Sequence, residues 1–247
     1  MTIFVVNNSI DAVLSALFVS FVDKVKPDEI VDRNTYQPRF DAYVKEIATD
    51  KIKAERVKKA LFNYGGSDII ALMKICLSSC SFSALTIAFN YAHLTLKERT
   101  DVSERLGEMA VSDFSFTVQK VLHERHILTG MLRFKESSNG VLYAQYTPDN
   151  DVTYLLAPHF LRRLGHRAFV IHDLKRNKIA ISNGKSIKID YTDLPVCFTP
   201  NENENAVNIL WKKYYSDVNI KERKNERQRD NFFPRRYRKF CFETWED

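Results

Sequence analysis

The apolar positions fall at helical spacing over most of the first 130 residues. Thr2 to Val6 is a short β-rich run. Asn7, Asn8 and Ser9 then form a turn whose side chains suit a helix N-cap, and a helix is expected to about Val22. Residues 27–40 are polar and hold Pro27 and Pro38, which predicts a loop. Val44, Ile47, Ile52, Val57 and Leu61 carry a helical period through residues 42–62, with a break near Asp50. Gly65 and Gly66 end it. A helix capped by Ser67 or Asp68 is expected to Cys80, another over 82–96, a short one over 102–109, and a longer one from Asp113 to Leu128 that stops at Gly130.

From Met131 the period changes to two. Residues 131–135 and 141–146 read as strands of a hairpin around Ser137 to Gly140. Residues 152–164 read as a helix with Pro158 as a kink or break. Residues 168–173 read as a strand, and 178–182 with 186–189 flank Asn183-Gly184 as a second hairpin. A helix over 207–215 and a partly helical basic segment ending at Pro234 complete the chain. The expected fold class is α+β: a helical N-terminal half packed with a small, mostly antiparallel sheet, and a basic C-terminal segment. Two subdomains are expected, 1–130 and 131–247, with one integrated unit as the alternative.

Charge sharpens this picture. Residues 1–120 are balanced, whereas residues 221–240 alone carry +6, equal to the net charge of the whole 247-residue chain. Such asymmetry points to a polyanionic partner, or else to a solvated basic helix. In that segment Arg235, Arg236, Arg238 and Lys239 alternate with Phe232, Phe233, Tyr237 and Phe240. Cations neutralise phosphates and aromatic rings stack on exposed bases, although the same rings can dock the segment on a core. Arg133, Arg162, Arg163, Lys175 and Arg176 add positive charge upstream.

The four cysteines, Cys76, Cys80, Cys197 and Cys241, match no zinc or iron–sulfur spacing and read as thiols of a reducing compartment. The apolar run from Ile10 to Val22 is interrupted by Asp11 and lacks a preceding basic region, so it reads as an amphipathic helix rather than an export signal or membrane span. A cytoplasmic protein is expected.

Candidate chemistry gathers between residues 123 and 173. His123-Glu124-x-His126 is one residue short of the His-Glu-x-x-His metalloprotease spacing. Glu124, His126, His159 and Asp173 sit at element ends. They invite two readings: a carboxylate–imidazole cluster for a metal or for acid–base work, and a buried hydrogen-bond network. No P-loop, dinucleotide fingerprint or nucleophile elbow is present, and no cofactor is indicated.

Several segments resemble one bacterial family, named "probable DNA metabolism protein". They are Asn8, Ser9 and Asp11; Tyr36-Gln37-Pro38; Ala54-Glu55-Arg56-Val57; and Glu124-x-His126 with Gly130 and Leu132-Arg133-Phe134. Leu142-Tyr143-Ala144, Leu156-Ala157-Pro158-His159-Phe160 and Ile171-x-Asp173-x-Lys175-Arg176 follow, then Glu222-Arg223-x-Asn225 and Pro234-x-Arg236-Tyr237. Phe233 stands where the family often has Met, and Arg238 where it usually has an aromatic residue.

The resemblance implies a DNA partner and a radical-SAM partner protein acting in DNA modification or repair. Some members are fused to a uracil-DNA-glycosylase-like domain. This chain lacks the three-cysteine motif of radical-SAM enzymes, so it would be the partner of the cluster carrier. The leading expectation is a DNA-binding accessory protein, with Arg133, Lys175, Arg176, Arg223, Asn225, Arg235, Arg236, Tyr237 and Arg238 as nucleic-acid contacts. The alternatives are a metal-dependent or acid–base nucleic-acid-processing enzyme and a protein-interaction module with a basic face.

Overall fold

The first strand of the chain organises the N-terminal residues around a parallel sheet. A computed structural model describes residues 1–192, 199–201, 204–218, 225–232 and 234–241. The chain divides into two compact units, Met1–Leu122 and His123–Asp247. The division falls within one helix, and the class is α+β.

In the first unit β1 (Thr2–Val6) lies between β2 (Glu29–Asp32) and β3 (Tyr43–Glu46), and both pairings are parallel. Parallel neighbours need a crossover, and α1 (Ile10–Asp23) supplies the one from β1 to β2. Ser9 caps α1, its Oγ accepting from the Ala12 N–H at 3.3 Å. Then come α2 (Lys51–Gly65), α3 (Ile69–Leu77), α4 (Ala84–Glu98) and the first half of α5 (Met109–Met131). Their apolar faces bury Phe4, Leu14, Leu17, Leu61, Met73 and Phe89 in one core. Tyr91 stacks on Phe114 with centroids 3.9 Å apart. The open edge of β2 is covered: Thr86 Oγ1 accepts from Ile30 N–H at 2.9 Å and donates to Ile30 C=O at 3.1 Å.

Three expectations change here. Residues 29–32, expected in a loop, form β2, because Ile30 is buried beside β1 while its acidic flanks hide any strand pattern. Residues 43–46, expected as helix, form β3. The helix begins only after Asp50, whose Oδ1 accepts from Ile52 N–H (2.9 Å) and Lys53 N–H (3.1 Å). Residues 102–108 form turns rather than a short helix, since the Asp101 side chain takes the Ser103 N–H at 2.9 Å.

The second unit is built on a five-stranded mixed sheet in the order β4 (Lys135–Glu136), β5 (Leu142–Tyr146), β6 (Phe169–Asp173), β7 (Lys178–Ser182), β8 (Ile187–Tyr191). Only β5–β6 is parallel, and α6 (Thr153–Leu164) makes that crossover. The first strand is shorter than expected because α5 continues through Gly130 to Met131. Helix α6 runs on through Pro158. Phe134 meets Phe160 and Phe169 edge-on, at 5.0 and 6.0 Å between centroids, and Leu156, Ala157, Ile171 and Ala180 are buried. The helices α7 (Glu204–Val218), α8 (Glu226–Phe232) and α9 (Arg235–Arg238) follow. Among the described residues no single helix is long and apolar enough to cross a membrane.

Candidate functional site

The loop between β5 and α6, residues 147–152, is held by polar side chains from α5, β6, β7 and α9. Glu124 lies on α5 at 4% exposure. Its carboxylate accepts from Asp149 N–H (2.7 Å), Asn150 N–H (2.8 Å), the Asn150 side-chain amide (2.6 Å) and the Tyr237 hydroxyl. Burial would be costly for a lone carboxylate, and these four donors offset it. Burial, with the Glu124 carboxylate next, pushes the Tyr237 phenol well above its usual range.

Asp173 ends β6 at 0% exposure. Its Oδ1 accepts from Lys175 N–H (2.9 Å) and Arg176 N–H (3.3 Å), and its Oδ2 pairs with Arg176 Nη1 at 3.0 Å. Burial raises the Asp173 carboxyl above the ordinary carboxylate range, with Arg176 pulling the other way. The same guanidinium donates to Pro148 C=O (3.3 Å) and to Asp149 C=O. Beside it Lys178 pairs with Asp151 at 2.6 Å. Burial alone would lower Lys178, but the Asp151 carboxylate outweighs it and holds the ammonium above its usual range. The Tyr146 hydroxyl bonds Thr153 Oγ1 at 2.8 Å.

Glu124 and Asp173 thus converge on one loop from two sides, each through backbone or guanidinium contacts. Among the described residues, the two histidines expected to join them make no hydrogen bond or ion pair with either carboxylate. His126 is exposed on α5. His159 stands edge-on to Phe160 at 5.0 Å, and its Nε2 is shielded from solvent without a hydrogen-bond partner. Among the described residues no three His, Cys, Asp or Glu side chains are grouped to hold a metal ion. His172, next to Asp173, bonds Tyr143 through Nδ1 at 2.9 Å, and burial lowers its pKa.

The cations expected to meet nucleic acid divide into groups. Arg133 closes the end of α5 by donating to Gly130 C=O at 2.8 Å. Lys175 is exposed, its Nζ 3.4 Å from Asp149 C=O. Arg176 is committed to the loop. Asn225 caps α8, its Oδ1 accepting from Gln228 N–H at 3.0 Å. Asp230 pairs with both Arg235 (2.9 Å) and Arg238, and Arg236 pairs with Asp149 at 3.1 Å while lying over the Tyr237 ring. Tyr237 itself is 3% exposed, so its ring packs inward instead of standing ready to stack on a base. Arg223, Phe233, Glu222 and Cys197 lie outside the described residues, as does the side chain of Phe232.

A separate group of cations lies near His159. Arg125 on α5 and Arg162 and Arg163 on α6 surround His159 closely enough that, after burial, their charges lower its pKa. Arg162 and Arg163 are exposed and Arg125 is half-buried. Among the described residues none of the three has a carboxylate at ion-pair distance, and Arg163 reaches only Thr129 C=O at 3.4 Å. Sequence reasoning passed over Arg125, whose signal was its place between Glu124 and His126. It also passed over the Asp149-Asn150-Asp151 run, whose turn-forming composition follows a strand directly.

A family model described as a domain of unknown function, DUF4130, matches residues 83–243. No curated protein matches the chain.

Proposed function

The chain belongs to the DUF4130 family, and from that premise we propose that it is a DNA-binding accessory protein in DNA modification or repair, acting beside a radical-SAM enzyme. The finer family resemblance, to "probable DNA metabolism protein" members, supplies the DNA context and the partner. The observation that carries the binding reading is the set of Arg125, Arg162 and Arg163 around His159 without acidic counterparts. Three guanidiniums whose charges all reach one imidazole, already lowered by burial, and that have no carboxylate at ion-pair distance among the described residues, stand to gain from a phosphate, which offers bidentate acceptors and neutralises them. Arg235, Arg236 and Arg238 are paired with Asp230 and Asp149, so they contribute less net field than the count of basic residues suggests.

Fluorescence anisotropy with labelled single-stranded and duplex oligonucleotides, over a range of salt, tests this. Binding should weaken steeply with salt. The triple change Arg125→Gln, Arg162→Gln, Arg163→Gln should flatten the log–log slope by roughly 2–3, because each phosphate contact releases about one counterion. The loss should be similar for unrelated sequences. Absence of binding at low salt by a folded protein, or a triple variant with an unchanged slope, would overturn the reading and favour an acidic protein partner.

A further inference from the structure

The first unit holds a polar cavity that the nucleic-acid reading does not use. It encloses about 470 Å³, within the range of small-molecule sites. Its floor is the carboxyl edge of the parallel sheet, where Val31 and Asp32 end β2 and Asn8 follows β1. In open parallel sheets ligands bind outside the carboxyl ends of the strands, where side chains of successive loops converge. Here the walls are residues 35–39, after β2, and the connection from α3 to α4.

Asp32 is the unexplained group. Among the described residues neither oxygen of its carboxylate has a hydrogen-bond or ion-pair partner, and Oδ1 is shielded from solvent. Buried polar atoms are almost always paired, so this one orphaned oxygen of a cavity-lining residue marks a missing donor. Its terminal torsion is broad and roughly two-fold, so rotation about it is the motion that turns a carboxylate oxygen toward the cavity. Apart from Arg39, the rest of the lining is neutral and rich in hydroxyls and amides, with Asn8, Thr35, Gln37, Ser79 and Ser81. Two aromatic rings complete it: Tyr36, half-buried, and Phe82, which is 93% exposed at the rim. The single cation of the lining, Arg39, is engaged with Glu29 at 3.0 Å.

We propose that this cavity binds a ligand that presents vicinal hydroxyls beside a flat aromatic ring, the chemistry of an uncharged ribonucleoside. Asp32 accepts from the diol, and Phe82 or Tyr36 stacks on the base. With Asp32 unpaired and Arg39 already committed, a phosphate adds nothing here. The proposal does not rest on the DNA reading, since every residue it uses lies in Met1–Leu122.

Saturation-transfer NMR and calorimetry on the full chain test it, with adenosine, guanosine, cytidine and uridine as probes. At least one should bind, and its 2′,3′-dideoxy analogue should bind roughly tenfold or more weakly, as expected when hydrogen bonds to a charged group are lost. Asp32→Asn should erase that discrimination. Phe82→Ala, at an exposed position that leaves the core intact, should weaken the nucleoside and its dideoxy analogue alike. The 5′-monophosphate should bind no more tightly than the nucleoside. No transfer from any of the four nucleosides, equal binding of the dideoxy analogue, or tight binding of the monophosphate alone would overturn the proposal. Oligonucleotide affinity of Asp32→Asn, measured in parallel, reports separately on the DNA reading and should match the unaltered protein.

Discussion

The phenol of Tyr237 and the carboxylate of Glu124 meet across 113 positions of sequence, and both are nearly inaccessible to water. Glu124 keeps three other donors, so Tyr237→Phe removes one charge-assisted bond without stranding the anion. The expected loss is about 1–3 kcal/mol in urea unfolding, with oligonucleotide binding unchanged. A variant that binds DNA poorly but unfolds normally would return Tyr237 to the surface role its neighbours suggested. His172 supplies a pH signature. Burial lowers its folded pKa below the ordinary histidine value of about 6.5, so the unfolded chain takes up a proton near that pH and the folded chain resists it. Stability is therefore present above about pH 6.5 and is lost as pH falls below it. His93 and His159 shift in the same direction. His172→Gln should remove part of the slope in urea midpoints between pH 7.5 and 5.5, and an unchanged slope would exclude His172 as a contributor.

Among the elements, those whose local chemistry agrees with their tertiary role were legible. Ser9 both reads as a cap and caps α1, and Asn183-Gly184 both reads as a hairpin turn and joins β7 to β8. The short parallel strands were not, because β2 and β3 have only four residues each and owe their extended state to pairing with β1. Gly184 shows how closely the hairpin is fitted. It has φ +84°, and a Cβ there would stand 2.1 Å from the carbonyl oxygen of His166, which is backbone and cannot swing away. Gly140, at φ +80°, has no neighbour nearer than a side-chain atom at 3.9 Å. Gly140→Ala should cost only the left-handed penalty of roughly 1–2 kcal/mol, and Gly184→Ala clearly more. Paired thermal melts decide it: equal shifts would mean that the turn yields.

On the scale of the whole molecule, the net excess of positive charge lies after residue 120, and this much could be read from the sequence. Which cations remain available could not, because pairing depends on distant partners: Asp149 reaches Arg236, and Asp230 takes two arginines. Glu124 and Asp173 stood out as motif residues, yet the loop they grip is brought to them by the β5–β6 crossover, which no local pattern records. A DNA-binding accessory protein beside a radical-SAM enzyme, as proposed above, is expected to associate with that enzyme. Two sources of association must then be separated, since both proteins could simply share a polyanion. Co-purification of the chain with the proposed radical-SAM partner, before and after exhaustive nuclease digestion, does so. A direct complex should survive digestion and high salt, because exposed cation–phosphate contacts are screened while an apolar interface is not. The Arg125→Gln, Arg162→Gln, Arg163→Gln variant should then lose DNA and keep the enzyme. Loss of the enzyme on digestion would show that nucleic acid was the bridge, and loss of the enzyme from the triple variant in nuclease-treated samples would place the protein contact on the arginine face itself.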